Sequence, residues 1–120
     1  MEILNLEGTE DTPNIILDKK NGIFEISGRS LPEKPAEFYR PVLEWIEVYA
    51  GEPNSSTEFV FKLEYLNTAS SKLILDILST LQNINNVKII WYFHDDDEDM
   101  EEDGEDFAEL VEIPFEFKTY

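Results

Sequence analysis

Two stretches of this sequence hold residue types and spacings that could do chemistry. The first is Asn67-Thr68-Ala69-Ser70-Ser71-Lys72, where a strand-like run stops and a helix-like run begins, with hydroxyls at positions 68, 70 and 71. A helix N-terminus leaves amide donors unpaired and carries the positive end of the helix dipole, so it favours negative charge. A cap at Asn67 or Thr68 would satisfy one such donor, worth about 1 kcal/mol. That leaves the other hydroxyls without a task. A phosphate on Thr68 would bring about −1.5 to −2 charges to the same helix end, with Lys72 the nearby basic group one turn on. Capping is the commoner use of such residues, and spacing alone does not decide whether Thr68 is also a phosphosite.

The second stretch is Asp95-Asp96-Asp97-Glu98-Asp99. A calcium loop opening at Asp95 would have acids at its first, third and fifth positions. It would then need glycine at the sixth and glutamate at the twelfth, where Met100 and Asp106 stand. No metal site is expected there, and the run reads as a mobile, solvated connector with a short helix from about Met100 to Leu110. His94 is the one histidine; without a Ser or Cys partner it makes no triad. The glycines form no phosphate-cradling pattern, so no nucleotide cofactor is expected. Nothing singles out a catalytic pair among the 27 carboxylates.

The elements around these stretches follow from periodicity. Residues 3–6, 14–18 and 23–27 read as strands, the last two joined by an Asn21-Gly22 turn. Residues 28–35 read as a loop. Phe38, Val42, Trp45, Ile46 and Tyr49 recur at helical spacing, in a helix kinked by Pro41 or starting near residue 37, and Gly51 closes it. Residues 58–66 alternate, with Phe59, Phe61, Leu63 and Tyr65 on one face. Leu73, Ile74, Ile77, Leu78 and Leu81 form the stripe of the helix that follows, ending at Asn83–Asn86. Val87–Phe93 is apolar on both faces, as in a central strand. Val111–Lys118 alternates again, and Pro114 places it at an edge. This order, with right-handed crossovers, predicts an α/β fold: a mixed sheet with helices mainly on one face.

Composition bounds the function. The chain of 120 residues reads as one domain, residues 1–120, with a single core. Its 42% hydrophobic content excludes disorder despite the acidity, and with no cysteine it has neither disulfides nor a thiol nucleophile. No signal peptide is evident, and no apolar run approaches the roughly 20 residues of a membrane span, so a cytoplasmic protein is expected. A net charge of −18 repels nucleic acid and anionic membranes. It leaves two rivals to a phosphorylation switch: an acidic interaction protein or nucleic-acid mimic using the 95–112 segment, which holds 12 of the 27 acids, and a metal-assisted hydrolase in the same loop.

The runs "LNLEGTEDTPNIILD", "NGIFEISGRSLPE", "FYRPVLEWIEVYA", "FKLEYLNTASSKLILDIL" and "GEDFAELVEIPFEFK" resemble the SiaC family of bacterial regulatory phosphoproteins over nearly the whole chain. "LEYLNTASSK" is the most specific of them. The resemblance implies a fold similar to STAS-type anti-sigma-factor antagonists, and a partner-switching protein that is not an enzyme. It implies reversible phosphorylation of the motif threonine, here Thr68, by a cognate kinase and a PP2C-type phosphatase. The unmodified form would bind and activate a diguanylate cyclase in cyclic-di-GMP signalling. Asn67, Ser70, Ser71 and Lys72 would neighbour the phosphosite and touch the kinase or the target.

Overall fold

The computed structural model describes residues 1–120. Nine elements follow in order: β1 (Leu4–Leu6), β2 (Asn14–Asp18), β3 (Ile23–Ser30), α1 (Pro35–Gly51), β4 (Thr57–Leu66), α2 (Thr68–Leu81), β5 (Val87–Phe93), α3 (Glu98–Leu110) and β6 (Phe115–Thr119). The six strands form one sheet in sequence order. β1, β2 and β3 pair antiparallel, and the tight turn between β2 and β3 places Gly22 at φ +67, a conformation that costs glycine little. β3 through β6 are parallel, each crossover carrying one helix.

Alternation in the strands decides the layers. Ile15, Leu17, Phe24, Ile26, Phe59, Phe61, Leu63, Ile89 and Trp91 project to one face and are almost fully buried. They join Tyr39, Val42, Ile46 and Tyr49 of α1, Ile74, Ile77, Leu78 and Leu81 of α2, and Met100 and Phe107 of α3 in one hydrophobic cluster. Each such side chain contributes about 1.5–3 kcal/mol by leaving water. All three helices therefore cover the same face. The opposite face carries Asn5, Ile16, Glu25, Ser27, Lys62 and Tyr92 at least partly in water, which is the one-sided arrangement that the alternation predicts.

Several local expectations are corrected. Gly28–Ser30 is not loop: β3 continues through it to pair with β4. Tyr65 does not share the inner face of Phe61 and Leu63. The β3–β4 register slips so that Gly28 faces Leu63 while Arg29 faces Tyr65, leaving Glu64 as an extra residue. Such a bulge reverses the side-chain parity beyond it. Tyr65 turns outward under the Arg29 guanidinium, 5.3 Å from its ring centroid, and Leu66 turns in against the core.

α1 starts at Pro35 and runs through Pro41, which lies in its interior. Pro41 leaves the Glu37 carbonyl without its helical donor, and both residues are exposed, where water can reach them. The acidic run is not a loose connector: Glu98 and Asp99 form the first turn of α3, and Asp97 caps it, its Oδ1 accepting from the Met100 amide at 3.0 Å. Negative charge at a helix N-terminus is stabilised by the dipole, which makes these acids good starters. At the other end of α3, Val111 and Ile113 are buried outside any strand and β6 begins only after Pro114. β6 is an edge strand as expected, but Pro114 lies just before it and not within it.

Candidate functional site

Parallel strands aligned by right-handed crossovers present their C-terminal ends along one edge of the sheet, the edge where open α/β folds gather functional groups. Here Leu66 and Phe93 end β4 and β5 on that edge, and the N-termini of α2 and α3 rise from it. The Asn67–Lys72 stretch is the mouth of α2.

The geometry divides its residues by task. Asn67 is the cap: its backbone is extended, and its Oδ1 accepts from the Ser70 amide at 2.8 Å. The Asn67 carbonyl accepts from the Ser71 amide at 3.0 Å and from the Ser71 hydroxyl at 3.2 Å. The Asn67 amide donates to the Ser30 carbonyl at 3.2 Å, tying the mouth to the end of β3. Ser30 in turn bonds the buried Tyr39 hydroxyl of α1 at 2.6 Å. Burial raises the Tyr39 pKa to about 12, with the Ser30 bond pulling the other way, so the phenol stays neutral. The mouth is thus fixed to both α1 and the sheet.

Thr68 is left over. It is the first residue of α2, exposed, and its hydroxyl bonds to no other group of the chain, because Asn67 already supplies the cap. The first amides of a helix, here those of Thr68 and Ala69, lack intrahelical acceptors and point out of the mouth. Lys72 is exposed one turn above Thr68 and makes no ion pair; Lys88 and Lys118, by contrast, both pair with Glu116. Ser70 lies at the other extreme. It is fully buried, and its Oγ has no hydrogen-bond partner, so it belongs to the floor beneath the mouth and offers no surface to a partner. The structure therefore brings Asn67, Thr68, Ser71 and Lys72 to one accessible turn and withdraws Ser70.

Beside this turn is a cleft of about 330 Å³ that sequence reasoning does not reveal. Glu64, Tyr65 and Leu66 from the end of β4 line it, with Asp97, Asp99, Met100 and Asp103 from the start of α3. The Asp103 pKa is raised, first by burial and then by Asp106, Asp99, Asp97 and Glu102. The bulge at Glu64, which no periodicity announces, lies in this wall and turns Tyr65 outward. The acids do not converge into a group of three or more that could hold a metal ion, and His94 faces the chain end instead, its Nδ1 3.2 Å from the Tyr120 carbonyl. The mouth of α2 thus presents one exposed, unpartnered hydroxyl at a fixed helix N-terminus, beside an acidic cleft.

Comparison with known proteins identifies the family. The model of the SiaC family, regulatory phosphoproteins, matches residues 6–120. An uncharacterized protein of Pseudomonas aeruginosa (strain UCBPP-PA14) is 31% identical over 124 residues, covering 100% of this chain and 98% of that protein. The crystal structure of apo-SiaC from P. aeruginosa superposes with a TM-score of 0.88 at 32% identity, over 98% of this chain and 99% of that one. SiaC in the crystal structure of the diguanylate cyclase SiaD with its activator SiaC, also from P. aeruginosa, gives 0.88 at 30% identity, over 98% and 99%.

Proposed function

The chain belongs to the SiaC family of regulatory phosphoproteins, and from that premise we propose that it is a non-enzymatic switch that binds and regulates a diguanylate cyclase and is itself set by reversible phosphorylation of Thr68. One observation carries the reading. Of the three hydroxyls in this turn, that of Thr68 alone is exposed and unengaged, at the positive end of α2, since Ser71 bonds the Asn67 carbonyl and Ser70 is buried. A kinase adds the phosphate, and a PP2C-type phosphatase removes it.

The mechanism follows from the position. At the first residue of a helix a phosphate meets free amides and the dipole, which favour it by about 0.3–1 kcal/mol. Phosphorylation therefore leaves α2 folded and acts on what docks over it. A partner covering the mouth packs against a methyl and a neutral hydroxyl when Thr68 is unmodified. When it is modified, the same partner must bury a group of about −2 charge without a designed counter-ion, a loss on the order of several kcal/mol. Asn67, Ser71 and Lys72 form the rest of that contact surface. Bulk repulsion is secondary, since one more anion changes little on a chain of net charge −18.

Titrating a diguanylate cyclase from the same cells with unmodified and Thr68-phosphorylated protein tests this. The unmodified form should bind and change cyclase activity, and the phosphoform should bind at least about 100-fold more weakly, the equivalent of some 3 kcal/mol. Equal binding by both forms would remove the switch.

A further inference from the structure

The outward side of α1 has no part in the Thr68 switch. Pro41, Trp45 and Val48 recur there at spacings of four and three, a second stripe distinct from the Tyr39–Val42–Ile46–Tyr49 stripe that enters the core. With Met1, Glu2 and Glu44 they line a groove of about 360 Å³ between the helix and the segment that leads into β1. Its apolar rim is wet: Val48 is 65% exposed, Met1 55%, and neighbouring Ile3 57%. Its floor is firm. The Trp45 ring stacks on Tyr49 at 5.4 Å and 16° and meets Phe24 edge-on at 6.0 Å, while its indole Nε1 donates to the Glu2 carbonyl at 2.8 Å. A preformed groove with a fixed tryptophan at its base is the arrangement in which a few anchors carry binding energy.

The charged side chains that line the groove are acidic, and acids outnumber bases on the helix beside it. Glu2 and Glu44 are the charged residues that line it, and Glu37 and Glu47 stand exposed on the same helix against the single Arg40. We propose that this groove is a docking site for an amphipathic helix of another protein, one that lays an apolar stripe along Pro41, Trp45 and Val48 and flanks it with Lys or Arg facing Glu2 and Glu44. Helix-in-groove recognition reads anchors at spacings of three and four, the spacing that the α1 stripe offers. The acidic rim selects the sign of the visitor's flanks and speeds its encounter. A second copy of this chain is a poor fit, because a self-complementary contact would set Glu2 and Glu44 of one copy against the acids of the other.

The test uses the full chain and a synthetic peptide of about 18 residues, five helical turns, with Leu at helical spacing and Lys on the flanks. A scrambled peptide of the same composition is the control. Binding is followed by fluorescence anisotropy of the labelled peptides at fixed salt. The amphipathic peptide should bind at least about tenfold more tightly than the scramble, and Val48→Asp and Glu44→Lys should each weaken it by about tenfold. Glu109→Lys, the same charge change on the exposed surface of α3, should leave it within about twofold. Equal binding of the scramble, or an equal loss with Glu109→Lys, would reduce the effect to general charge attraction and overturn the proposal. So would unchanged binding in Val48→Asp, or a Val48-dependent self-association seen by sedimentation, which would make the occupant a second copy.

Discussion

If Asn67 caps α2 and Thr68 does not, truncating the two side chains should have opposite consequences for stability. Asn67→Ala removes the acceptor of the Ser70 amide, a 2.8 Å bond at the edge of the core, and a lost N-cap costs about 1 kcal/mol, within a range of roughly 0.5–2. Its backbone bonds to Ser30 and Ser71 remain, so the loss should not exceed that range. For a chain of 120 residues, about 1 kcal/mol corresponds to a fall in Tm of about 3–6 °C. Thr68→Ala removes an exposed hydroxyl with no partner in the chain, and alanine is the better helix former by a few tenths of a kcal/mol. Its Tm should stay within about 2 °C of the parent or rise slightly. Thermal unfolding by far-UV circular dichroism, with urea melts as a second measure, separates the two. A drop for Thr68→Ala as large as that for Asn67→Ala would refute the division of labour at the mouth and return Thr68 to an ordinary structural role. So would an Asn67→Ala variant as stable as the parent.

Three further outcomes are expected. A Cβ at Gly104 would lie 2.5 Å from Cδ1 and Nε1 of Trp91, whose ring is fully buried and whose Nε1 donates to the Met100 carbonyl at 3.0 Å; Gly104→Ala should therefore lose about 1–3 kcal/mol despite its better helix propensity, with a changed near-UV spectrum. Asp103 has a folded-state pKa above its unfolded value, so the folded chain holds that proton more tightly: Tm should rise as pH falls through the raised pKa toward the unfolded carboxylate value, and Asp103→Asn should raise Tm at pH 7 and flatten this dependence. Below that window Asp18 and Glu116, whose pKa values are lowered by hydrogen bonds from Asn21 and Lys88, lose their contribution as they protonate, and Tm should turn down. Finally, raising salt should not restore the affinity that phosphorylation of Thr68 removes; recovery at high salt would mean that screened long-range repulsion, not local fit, drives release.

Much of the fold is legible because two periodicities are strong. Alternation in Phe59–Leu63 and the three–four spacing of Ile74–Leu81 each bury one face, and the order of elements follows from them. What stays hidden depends on interactions between elements. Tyr65 reads as an inward residue because nothing in its own strand signals that Glu64 is unpaired against β3. Ser70 reads as a surface hydroxyl because a small polar residue in the first turn of a helix is usually wet, whereas here the turn is tied to the end of β3 and Ser70 is fully buried. The acidic run reads as loop by composition, although the dipole of α3 and the Asp97 cap make acids favourable there. At the mouth itself, the sequence identifies a helix start rich in acceptors. Only the bond from the Ser70 amide to Asn67 tells which acceptor is the cap and which hydroxyl is spare.

The measurement that bears most directly on the switch is intact-mass and fragment mass spectrometry of the protein isolated from its native cells under several growth conditions. A fraction carrying one phosphate, located on Thr68 and removed by a PP2C-type phosphatase, is expected. A protein that stays unmodified throughout and is not labelled by cell extract with ATP, or one that carries its phosphate on another residue, would contradict the switch.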